Sequence, residues 1–140
     1  MIRIHIFNAH PTHKVSKSIY QHLARRVLKS EGTHTATCNV VFVDDTRMID
    51  LNSTYLKHTY ATDVLSFPLH ENDDDSIEGE VYVNVDQARR QARTFRVSYK
   101  NELGRLVVHG VLHLLGYRDS TKRQTARMSR REEEYLLLLH

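Results

Sequence analysis

The chain has 140 residues, 40% of them hydrophobic and 26% charged, with a formal net charge of +3 and a pI near 9.1. That length suits one domain able to bury about two thirds of its unfolded surface. The composition is that of an ordinary soluble globular protein, and no apolar run approaches the ~20 residues that span a bilayer. The basic excess permits a nucleic-acid partner without requiring one.

In chain order, Ile2–Asn8 alternates as a strand closed by Pro11, without the apolar region or cleavage site of a secretory leader. A helix is expected over Val15–Ser30, with Val15, Ile19, Leu23, Val27 and Leu28 on its apolar face and Gly32 beyond its end. Ala36–Val43 is β-branched and reads as a second strand. It contains Cys38, the only cysteine, which leaves no disulfide partner, suits a reducing cytoplasm and reads as a small buried hydrophobe. Asp44-Asp45-Thr46 forms the cap region of a short helix carrying Met48, Ile49, Leu51 and Tyr55. Val64–Leu69 is a third strand that Pro68 confines to an edge or a terminus. Glu71–Asp75 reads as a solvated acidic loop, and Glu80–Val85 as a fourth strand. Asp86 is placed to cap a helix reaching about Phe95, Ser98 to cap another, and a last amphipathic helix spans about Lys122–Leu138. The order βαβαββααα implies an α+β (mixed α/β) fold: one small four-stranded sheet covered by about five helices.

The chemistry concentrates in His109-Gly110-Val111-Leu112-His113-Leu114-Leu115-Gly116-Tyr117-Arg118-Asp119. Histidines four apart share one helix face, one turn from each other. Among 10 histidines such a pair is unremarkable by itself. Here, however, it runs along one edge of the buried stripe Leu103, Leu106, Val107, Val111 and Leu114. Gly116 can end the helix in a left-handed turn and swing Asp119 back toward the pair. Two imidazoles and a carboxylate at the C-terminal end of a helix, with a fourth position open, form the donor set of a catalytic metal site. Glycine and third donor also fall where the extended zincin pattern puts them. Gly110, however, stands where zinc proteases carry their glutamate base, which removes the usual route to peptide hydrolysis.

Basic residues offer less. Arg89, Arg93, Arg96 and Lys100 would form a phosphate-tracking ridge if one helix carried them all, but also suit a solvated helix face. Lys122, Arg123, Arg127, Arg130 and Arg131 stand beside Glu132, Glu133 and Glu134 and read as mutual surface ion pairs. The tyrosines are scattered, with no aromatic-basic platform of the kind that binds single strands.

Three separated segments resemble the YbeY family of bacterial rRNA-maturation endoribonucleases. They are His109–Tyr117, Thr62–Pro68, and Gly79–Val85 followed by Asp86-Gln87-Ala88-Arg89. The resemblance implies a zinc-dependent hydrolase of single-stranded RNA that processes the 3′ end of small-subunit rRNA, serves ribosome quality control, and works in the cytoplasm with small-subunit proteins as partners. Against the family pattern H-G-x-L-H-L-x-G-Y-x-H, His109 and His113 match the first two ligands and Asp119 takes the third position. One Zn²⁺ per chain is expected on this trio. Asn52 and Tyr55 match an element that precedes a substrate-serving arginine in the family, but Leu56 occupies the arginine position, leaving Lys57 or His58 as the nearest positive groups. Thr62 and Ser66 are the remaining substrate-binding candidates, and His58 and His70 read as surface residues. The alternatives are a non-catalytic ribosome-assembly or RNA-binding factor with a structural metal and, more remotely, a metallopeptidase or small-molecule hydrolase.

Overall fold

The computed structural model describes residues 1–57, 61–69 and 76–139. Four strands form one sheet: β1 (Ile2–Asn8), β2 (Thr35–Val43), β3 (Val64–Pro68) and β4 (Ser76–Asn84). Their order is β1-β2-β4-β3; β1, β2 and β4 are parallel, and β3 runs antiparallel to β4 at the edge. The parallel pairs need crossover helices to cover the sheet. Among the described residues there are five α-helices, of which α1 (Lys17–Ser30) and α2 (Asp45–Leu51) lie between strands and α3 (Val85–Phe95), α4 (Tyr99–Leu114) and α5 (Lys122–Leu136) follow the last strand. The fold is α+β.

Alternation divides the sheet faces. Ala36, Cys38, Val40 and Phe42 of β2, with Val81 and Val83 of β4, join α1, α3 and α4 in the main core. On the other face, Val43, Met48 and Leu51 form a smaller cluster with Leu65 and Tyr82 against it. α4 is buried along almost its whole length, including Gly104 and Gly110. A Cβ on Gly110 would stand 2.3 Å from Val81 Cγ1 and 3.2 Å from Val64 Cγ2, so glycine is what lets α4 lie directly on β3 and β4.

Several boundaries differ from the sequence reading. α1 begins at Lys17, leaving Val15 packed against the core from the preceding loop. β4 begins at Ser76, well before Glu80, because pairing with β2 runs from Thr35 onward. The cap of α3 is Asn84, whose side chain accepts from the Gln87 amide. Asp86 sits in the first turn instead, accepting from the Asp45 amide and bonding His10. After α2 the chain widens into a π-helical turn, Asn52–Leu56, that carries Tyr55, and α5 tightens into a 3₁₀ turn at Leu137–Leu139. The caps at Asp44 and Ser98 are as expected. The acidic stretch Glu71–Asp75 lies outside the described residues, as do His58 and His70.

Candidate metal centre and cleft

Ser98 caps α4 by accepting from the Asn101 amide, and sixteen residues later the helix ends over the edge strand β3. Gly116, at φ +98°, supplies the left-handed turn there. Its amide donates to the His113 carbonyl at 3.0 Å, and the Tyr117 amide donates to Leu112 at 3.0 Å. The chain reverses and returns Asp119 to the histidines. His109 Nε2 and His113 Nε2 lie 3.0 Å apart, with Asp119 Oδ2 at 3.5 Å from the first and 3.4 Å from the second.

The hydrogen bonds on the far side of each ring define what these atoms offer. His109 Nδ1 contacts the Glu132 carboxylate at 2.8 Å, and His113 Nδ1 contacts the Tyr117 carbonyl at 2.9 Å. Both partners can only accept, so both Nδ1 atoms carry the proton. In the neutral rings both Nε2 lone pairs then converge, together with a carboxylate oxygen, on one point. Three such donors at these separations repel unless a proton or a metal cation lies between them. Tetrahedral coordination at zinc distances places donors about 3.3 Å apart, close to what is found here. The residues fit a divalent metal.

By sequence Glu132 belongs to a surface run facing basic residues. It is buried, and it belongs to a chain of charges beneath the site. Arg105 reaches Glu132 at 3.5 Å and makes two bonds to the buried Glu102, at 2.6 and 2.9 Å. Gln91 in turn donates to Glu102 at 2.6 Å. The bond to Glu102 raises the Arg105 pKa, so the guanidinium stays charged. One guanidinium thus serves two buried carboxylates, which leaves this network net negative directly behind His109, a charge that a cation on the far nitrogen complements.

The three donors open onto a cleft of about 450 Å³ whose other wall is Thr62, Asp63, Val64, Leu65, Ser66 and Pro68. Thr62 and Ser66 are therefore brought to the site. Ser66 Oγ donates to the Gly110 carbonyl at 2.8 Å, tying β3 to α4, and Thr62 Oγ1 accepts from Asn52 at 3.3 Å. Lys57 is not among the cleft-lining residues; it sits exposed in a left-handed conformation after the π-helical turn. Leu56 is also exposed. A Cβ at position 110, the place of the protease base, would run into Val81, Ser66 and Val64 of the sheet.

A second cluster, His10, His13 and Asp86, brings its possible donor atoms together within 4.8 Å, but it does not present a metal donor set. His10 Nδ1 accepts from the Thr12 and His13 amides at 3.2 and 3.1 Å. Its proton therefore sits on Nε2 and is donated to Asp86 at 2.8 Å. No His10 lone pair is left, and the cluster ties the β1–α1 loop to α3.

The basic ridge does not form as one face. α3 stops at Phe95, Arg96 takes a left-handed cap, and Lys100 belongs to α4. The Arg89 guanidinium lies over Tyr99. Tyr55 and Tyr82, far apart in the chain, meet on either side of Phe67, with ring centroids 5.3 and 5.8 Å apart.

Fold and site together define a class: single-sheet α+β proteins that carry a His-His-carboxylate group, able to bind a metal, where a buried helix ends over an edge strand. The profile of the endoribonuclease YbeY family matches residues 5–140, and the chain belongs to that family. The endoribonuclease YbeY of Salinibacter ruber is 37% identical over 134 residues, covering 91% of this chain and 85% of its own. That of Chlorobaculum tepidum is 32% identical over 136 residues, covering 97% of each. The solution structure of TM1509 from Thermotoga maritima superposes with a TM-score of 0.67 at 28% identity, over 99% of this chain and 88% of that one.

Proposed function

We propose that this chain is a zinc-dependent endoribonuclease that hydrolyses phosphodiester bonds of single-stranded RNA, with residues 1–140 acting as one domain. Its cellular task on this reading is maturation of the small-subunit rRNA 3′ end and ribosome quality control in the cytoplasm, in contact with small-subunit proteins. The carrying observation is the convergence of His109 Nε2, His113 Nε2 and Asp119 Oδ2 on one point at the cleft, with both far ring nitrogens held by acceptors. One zinc per chain is held by these three side chains. When bound, zinc supplies Lewis acidity, acidifying water and polarising a phosphoryl oxygen. Glu132 and the Tyr117 carbonyl keep the two rings in the tautomer that binds. Thr62 and Ser66 position the substrate along the β3 wall, where the Ser66 oxygen keeps a free lone pair after donating to Gly110. Lys57 lies outside this wall, and its place in substrate binding is restricted to flanking phosphates.

Leu56 in the family's arginine position, exposed and uncharged, favours the second reading, a ribosome-assembly or RNA-binding factor with a structural metal. The two separate in one assay on zinc-loaded protein with single-stranded RNA carrying the small-subunit rRNA 3′ end. Wild type cleaves and His113→Ala neither retains zinc nor cleaves, if the enzyme reading holds. Binding to that RNA without cleavage, unchanged in a folded His113→Ala protein, supports the assembly factor.

A further inference from the structure

The turn after α4 is fastened from an unexpected direction. Glu31 follows α1, 86 residues before Tyr117, and accepts from the Tyr117 hydroxyl at 2.5 Å through one carboxylate oxygen. Its other oxygen accepts from the Tyr135 hydroxyl of α5, and Arg131 Nε stands 3.9 Å away. The Arg127 guanidinium lies 4.8 Å from the Tyr117 ring centre.

Tyr117 matters because two of the three convergent donors hang on it. Its carbonyl accepts from His113 Nδ1, and Asp119 follows it by two residues. Among the described residues, the Asp119 backbone has a second anchor at its carbonyl, which accepts from Thr125. From this geometry we infer that Glu31 is a positioning residue for the metal centre, acting through the Tyr117 hydroxyl to hold the His113 ring and the approach of Asp119. The inference rests on the proposed metal site. It extends that site to the first helix, which contributes no donor of its own. Bonds behind a donor matter because metal affinity depends on how little the donors must be ordered on binding.

A mere tie between helices would cost stability with and without metal alike, whereas a positioning residue changes affinity. The test therefore reads zinc affinity by competition with a chelator, and thermal stability of the metal-free protein, for Glu31→Ala, Tyr117→Phe, Glu31→Gln and Tyr135→Phe. Tyr117→Phe keeps the ring packed and removes only the hydroxyl, so it serves if Glu31→Ala folds poorly. Glu31→Ala and Tyr117→Phe are each expected to weaken zinc binding about tenfold, and together no more than either alone. Glu31→Gln, whose amide oxygen can still accept from Tyr117, should recover most of that loss. Tyr135→Phe should lower metal-free stability while leaving affinity unchanged. Wild-type affinity in Tyr117→Phe, or equal weakening by Tyr135→Phe, overturns the inference. A wild type that binds no zinc overturns the metal site itself and this inference with it.

Discussion

His109 and His113 show how a second partner turns a common residue pair into a specific donor set. Each ring gives its Nδ1 proton to a fixed acceptor, which leaves Nε2 as the only lone pair and aims it. Glu132→Ala removes one of those acceptors and one partner of Arg105. We expect zinc affinity to fall by about 10–100-fold, measured by chelator competition; unchanged affinity would show that Glu132 has no hold on His109. The trio itself was legible in the sequence because its geometry is local: a four-residue helical spacing, then a glycine turn. Glu132 was not, since it bonds a residue 23 positions away through packing of α5 on α4, and its charged neighbours Glu133 and Glu134 make it look like surface. Cys38 gives a further check at this scale. Burial pushes its thiol up to about 12, so a thiol-reactive disulfide reagent at pH 8 should label it only on the timescale of unfolding. Prompt labelling of the native protein would contradict the burial.

At the level of elements, the site depends on how closely α4 lies on the sheet. Gly110 sets that distance, and its carbonyl receives the Ser66 hydroxyl. Gly110→Ala forces Val81 and the β3 wall to move, and overpacking of this kind typically costs about 1–3 kcal/mol. Helix propensity offsets up to about 1 kcal/mol of that. Thermal unfolding of metal-free protein should therefore show a lowered Tm, and a raised Tm would mean that the helix tolerates a Cβ there. The sequence alone made Gly110 look like a missing base; the sheet beneath it explains why no side chain fits. Strand and helix identities were readable from alternation and helical periodicity, but several ends were not. Asn84 and Asp86 are both capable caps, and only the length of β4, set by pairing with β2, decides between them. Likewise no local signal joins Tyr55, Phe67 and Tyr82; strand pairing and the π-helical turn bring them together.

For the whole molecule, charge is arranged in two regimes. Surface pairs such as Arg90–Asp45 knit α3 to α2, and the Arg90 hydrogen bond holds the Asp45 carboxyl below its ordinary value of 3.8. A carboxyl lowered in the folded state adds stability above its unfolded pKa and loses it as pH falls through the folded one. The Tm difference between wild type and Arg90→Ala, in metal-free protein, should therefore be present at pH 7 and shrink below about pH 4. A gap that widens on acidification would contradict this assignment. The buried regime is the Glu102–Arg105–Glu132 network, whose excess negative charge sits behind the convergent imidazoles. Fold, family and the His-His-Asp group all lead to one claim, that this chain holds a catalytic metal at the end of α4. Metal content of protein purified without added metal, wild type beside Asp119→Ala, tests it most directly. The account predicts about one zinc per chain in the wild type, lost in the variant. A folded wild type free of metal, or a variant that keeps its zinc, would contradict it.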